Sequence, residues 1–244
     1  MTDIDPTTKK LYLTRHAQAE HKYVSQSSSE NQKIDLELIY GSVASDWTIR
    51  DAVLTDLGKQ QARQLNDLTK ETIQKTAELL LRRPMETMLI GFSALKSRLD
   101  GLGKPIILLD ILQEVGPFPC DTPLYPVSIL AASNDGIFSA LDFSTLSAEY
   151  AGKRGIFAPE NAAERAKRCR IWLRDRPERD IVVMAHGDIL RNIVDGHQSA
   201  RPWDNAETKI FTFRSAMDPE AILLEIDQVK PETATHEPTS SEMT

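Results

Sequence analysis

The sequence predicts an α/β fold, a three-layer sandwich with a mostly parallel central sheet. Three observations carry that expectation. Short β-prone apolar runs alternate with helical stripes along the chain. The runs at 11–14 and 180–185 are largely apolar on successive residues, as buried parallel strands are. Each is followed closely by a histidine, and in such folds ligands lie beyond the carboxyl ends of the strands.

Leu11, Tyr12, Leu13 and Thr14 follow Lys9 and Lys10 and read as the first strand. Residues 23–51 contain a serine-rich stretch, Gly41 and Asp46, with little periodicity, which predicts a long loop with short helical pieces. Residues 60–69 read as a helix with Thr55 as candidate N-cap and a stripe at 57, 62, 65 and 68. Leu79, Leu80 and Leu81 form a second strand, and Pro84 opens a further helix in the first turn, where proline is tolerated. A third strand is expected at 105–110. Four prolines within 116–126 then require a structured loop. A helix over 161–175 precedes the strand 180–185, a helix over 188–194 follows it, and 210–213 and 221–225 supply one or two more strands.

A chain of 244 residues, 41% of them hydrophobic, suffices for one well-buried domain, expected over 1–229. Residues 230–244 are rich in Pro, Glu, Thr and Ser and predict a disordered tail. Cys120 and Cys169 fit neither a disulfide framework nor a zinc knuckle, which suits a reducing compartment. The first residues lack the order of a secretory signal, and no run approaches the ~18 apolar residues of a membrane span. The expectation is a soluble, cytoplasmic protein without a membrane span. A net charge of −7 argues against a nucleic-acid partner, so any anion must be captured locally.

His16 and His186 occupy equivalent places after two strands, with Arg15 beside the first and Arg82 and Arg83 after the strand at 79–81. Singly, each has an ordinary structural explanation: a satisfied histidine, or a solvated arginine pair. Together they suit a phosphate ester. Guanidinium groups pair with phosphate oxygens, a neutral imidazole can attack phosphorus, and a charged one stabilises the equatorial oxygens. Gly187 at a helix start adds backbone donors. A zinc site on His16 and His21 has the wrong spacing for a shared helix face, so no metal and no cofactor is expected.

The segment Leu13-Thr-Arg-His-Ala-Gln18 resembles the Arg-His-Gly/Ala signature of the histidine phosphatase superfamily, the phosphoglycerate mutase-like enzymes. Met184-Ala-His-Gly-Asp-Ile-Leu-Arg191 resembles its second histidine motif, and Leu54-Thr-Asp-Leu-Gly-Lys-Gln-Gln-Ala62 its Leu-Thr-x-x-Gly-x-x-Gln-Ala helix start. Arg83-Pro-Met-Glu-Thr87, Leu112-Gln-Glu114 and Trp203-Asp-Asn-Ala-Glu207 are similar to further elements of the group, in its order. The resemblance implies that His16 is the phosphoryl acceptor, that Arg15, Arg83 and His186 complete the phosphate pocket, and that Glu114 donates the proton, with Asp121 as rival acid. Three features depart from the pattern. Lys22 stands where many relatives have asparagine, the approach to Arg83 is shortened so that Arg82 is an alternative, and Ala17 replaces the commoner glycine. The implied function is a phosphatase acting on a phosphorylated small molecule. The alternatives are mutase-type phosphoryl transfer and a catalytically weak phosphate-binding homologue.

Overall fold

The computed structural model describes residues 4–19, 53–81, 85–122, 126–132, 134–197 and 201–243. Its strands are β1 (Lys10–Arg15), β2 (Glu78–Leu81), β3 (Ile107–Leu108), β4 (Asp180–Ala185), β5 (Thr208–Phe213) and β6 (Leu223–Val229). They form one mixed sheet of order β3-β2-β4-β1-β5-β6, in which the first four run parallel and β5 and β6 add antiparallel at one side. Arg15 pairs with Ala185, so His16 and His186 are the next residues at one carboxyl edge. The His16 N–H donates to the Ala185 carbonyl at 3.0 Å and carries the ladder one step further.

Helices α1 (Asp56–Thr69), α2 (Met85–Gly91), α3 (Ser93–Gly101), α4 (Ala162–Asp175) and α5 (Gly187–Asp195) cover the sheet. Alternation along the strands divides the core. Tyr12, Val182 and Met184 pack with Ala62, Leu65, Met88, Leu95 and Leu99 from α1, α2 and α3. Leu11, Leu13, Ile181, Val183, Ala185 and Phe211 pack with Cys169, Leu173, Ile189 and Ile193 from α4 and α5. Each fully buried leucine contributes about 2 kcal/mol of transfer free energy. The α/β fold and the central strands are as expected.

Several details differ from the sequence reading. Thr55 does cap α1, its Oγ1 accepting from Gly58 N at 2.9 Å. The buried stripe, however, is Gly58, Gln61, Ala62, Leu65 and Thr69, and Leu68 is exposed. The third strand shrinks to two residues because the Asp110 carboxylate accepts from Ser147 N at 2.9 Å while its backbone starts a tight turn. The last strand starts late because Ala221, at φ 49°, bends the chain before it. The segment expected to be a disordered tail is placed against the body through polar contacts: Thr233 bonds Gln64, and Ser241 bonds Asp188. The loop 23–51, Lys22, Arg82, Arg83 and Pro84 lie outside the described residues.

Gly58 sits where α1 crosses the chain after β1, and a Cβ there would collide with the Gln18 carbonyl. Backbone cannot swing aside as a side chain can. Gly58→Ala is therefore expected to cost about 1–3 kcal/mol of stability, read as a lower urea midpoint with an unchanged slope.

Candidate active site

The parallel pairing of β1 with β4 brings the two histidines together: their ring centroids lie 5.1 Å apart with the rings inclined at 66°. His186 is buried, whereas His16 keeps partial exposure. The His16 ring is oriented locally, Nδ1 lying 2.7 Å from the Ala17 carbonyl oxygen. A carbonyl only accepts, so Nδ1 carries a proton, and in the neutral ring the lone pair is then on Nε2. The backbone around this ring is fixed from several sides. Ala17 N donates to Thr87 Oγ1, Gln18 N donates to Gln61 Oε1 at 2.9 Å, and Asn205 Nδ2 and Ala206 N reach the His16 carbonyl.

Arg15 is 2% exposed at the end of β1. Its Nη1 donates to the Trp203 and Glu237 carbonyls at 2.6 and 3.0 Å, and its Nε has no partner among the described residues. The same guanidinium lies beside Gly187, the first residue of α5, where an added Cβ would stand 3.6 Å from its Nε and Cζ, and the backbone of a helix start favours anions. Trp203 is fully buried, donates from Nε1 to Leu13 O, and lies 3.8 Å below Lys209 Nζ, which locks the turn carrying the Arg15 acceptor.

Glu114 reaches the same helix start through its carboxylate. Its Oε1 accepts from Val115 N at 2.8 Å and Ile189 N at 3.0 Å, and its Oε2 lies 3.3 Å from Asp188 N. Burial, reinforced by the carboxylates of Asp188 and Asp121, pushes its carboxyl up to about 8, against the pull of the Val115 N–H and Lys153. Arg165 Nη2 and Lys153 Nζ hold the Glu114 main-chain carbonyl. Asp121 is buried as well, and its Oδ1 lies 3.6 Å from Cys120 Sγ.

The structure thus gathers Arg15, His16, Glu114, His186 and Gly187 at one sheet edge. The end of β2 at Leu81, paired with Met184, reaches that edge too, while Arg82 and Arg83 fall outside the described residues. Sequence reading missed Gln18, Gln61, Asn205 and Glu237. Gln61 carried a signal, a polar side chain next to Ala62 on the buried face of α1. Among the described residues no cluster of His, Cys, Asp and Glu could hold a metal ion, and no helix is long and apolar enough to cross a membrane.

No family model and no curated protein matches the chain. Among solved structures it is similar to a candidate alpha-ribazole-5'-phosphate phosphatase of Escherichia coli, at 15% identity and a TM-score of 0.52 over 94% of this chain and 99% of that one. It is also similar to the product of a Mycobacterium tuberculosis open reading frame, at 14% identity and a TM-score of 0.50 over 91% and 98% of the two chains. The chain shares the α/β fold of these two solved structures.

Proposed function

We propose that the chain is a phosphatase that hydrolyses a phosphate monoester of a small molecule through a phosphohistidine on His16. The His16 ring carries this reading, because the bond from Nδ1 to Ala17 O leaves Nε2 as the nucleophilic nitrogen. Nε2 attacks phosphorus and the ester P–O bond breaks. The leaving alkoxide takes the proton from the Glu114 carboxyl, which burial keeps largely protonated near neutrality. Water then attacks the phosphohistidine and gives a proton to the Glu114 carboxylate, and inorganic phosphate leaves. Arg15, the Gly187 backbone and His186 balance the charge on the equatorial phosphoryl oxygens, with Arg83 as the further guanidinium that the sequence motif implies.

Hydrolysis is favoured over mutase-type transfer by the partial exposure of His16, which admits water, and by the phosphatase description of the Escherichia coli protein. The reading extends to a single domain over 1–229 in three layers. Two buried clusters, one on each face of the sheet, support that arrangement.

Rapid quenching of the full chain with a radiolabelled phosphate ester tests the function. Acid-labile label is expected on the protein within the first turnover. Phosphate binding without label would replace the enzyme with a phosphate-binding homologue.

A further inference from the structure

We propose that residues 231–243 form an autoinhibitory strap, which occupies two phosphate ligands of the active site and must be displaced for substrate to bind. The proposal rests on the phosphatase reading only for the identity of the ligand with which the strap competes.

The strap is anchored along its length. At α1, Gln64 Oε1 accepts from Thr233 N and Oγ1 at 3.3 and 2.7 Å, and Gln61 Nε2 donates to Thr233 O at 2.9 Å. Asn205 N then donates to Thr235 O at 2.9 Å. Glu237 follows, its carbonyl accepting from Arg15 Nη1 and its Oε1 from Gln18 Nε2 at 2.8 Å. Thr239 lies on Gly187 so closely that a Cβ on the glycine would collide with the threonine methyl. Beyond it, the Asp188 carboxylate accepts from Ser241 N at 3.0 Å and Oγ at 2.6 Å.

Arg15 and Gly187 are the two described groups best suited to phosphate after the histidines, and the strap touches both. A lid closing over a bound ligand would leave the ligand's donors available, whereas this segment covers them. The strap also brings an anion of its own, Glu237, to within hydrogen-bonding distance of Gln18, two residues from His16. It does not satisfy the whole guanidinium, since Arg15 Nε remains buried without an acceptor among the described residues. An incoming anion that pairs with Nε regains what the strap forgoes, so substrate binding can drive release.

Calorimetric titration of the full chain with orthovanadate tests the strap. Two variants loosen it: the double substitution Gln64→Ala and Ser241→Ala, which removes uncharged anchors, and Glu237→Gln. Both are expected to bind vanadate about tenfold tighter than the wild type, because the competent, unstrapped fraction rises. Vanadate should also speed amide exchange across 231–243 of the wild type. Unchanged or weaker affinity in the double variant overturns the strap, weaker binding marking a lid. Tightening confined to Glu237→Gln overturns it too, since charge alone would then be responsible, and so does vanadate that binds none of the three proteins. Tighter vanadate binding without turnover leaves the strap standing and removes the phosphatase.

Discussion

Replacing His16 with alanine is expected to lower kcat for phosphoester hydrolysis by a factor on the order of 10⁴ to 10⁶, the loss that follows deletion of a nucleophile from a covalent mechanism. The size of the effect follows from the lack of a substitute. Among the described residues His186 is the nearest imidazole, but it is buried and meets the His16 ring edge-on, so it is not oriented to replace that ring. The fold should survive. The bonds from His16 N to Ala185 O, and from Asn205 and Ala206 to His16 O, are made by backbone atoms that alanine retains. The bond from Nδ1 to Ala17 O is lost, at a cost of about 1 kcal/mol. Circular dichroism should therefore show a melting point lowered by only a few degrees, while rapid quenching shows no protein-bound label. Turnover near the wild-type rate in this variant would place the nucleophile elsewhere.

The two halves of this site differ in how far the sequence revealed them. β1 and β4 were legible because apolar side chains on both faces mark a central parallel strand, and a histidine just beyond such a strand is conspicuous. Their pairing followed from the fold class, and the register of Arg15 with Ala185 does the rest. Glu114 was different: no periodicity marks it, and only the resemblance of its short motif suggested a role. Its raised carboxyl pKa arises first from burial that no local pattern encodes, and then from Asp188 and Asp121, one of them more than seventy residues away. Helix α3 was missed because only Leu95 and Leu99 on it are buried, too thin a stripe to read. The polar contacts of the tail were hidden from the sequence for a more general reason. Composition measures how much apolar surface a segment can bury, whereas 231–243 docks by hydrogen bonds to acceptors and donors that the folded body presents, among them Gln61, Gln64, Asn205 and Asp188.

Glu114→Gln should separate the chemistry of this carboxyl from its contribution to stability. Glutamine keeps an acceptor for the Val115 and Ile189 N–H groups but has no proton to give. On an alkyl phosphate, whose alkoxide needs that proton, kcat is expected to fall by about 10² to 10⁴. With p-nitrophenyl phosphate the leaving group departs unaided, so the first equivalent of nitrophenol should appear at nearly the wild-type rate, followed by slow turnover while water attacks the phosphohistidine without its base. Stability should move the other way. The folded carboxyl titrates near 8, above its ordinary value of 4.5, so the native state holds a proton that the unfolded chain releases earlier. Wild-type stability from this group is therefore full below the unfolded value and is lost as pH rises through the folded one, with a slope approaching about 1.4 kcal/mol per pH unit between. Glutamine carries no such dependence. In urea titrations from about pH 5 to about pH 8, the variant should gain on the wild type as pH rises. Parallel stability curves would mean that Glu114 is ionised throughout, and equal losses on both esters would transfer the acid role to Asp121, where Asp121→Asn would then reproduce the leaving-group effect.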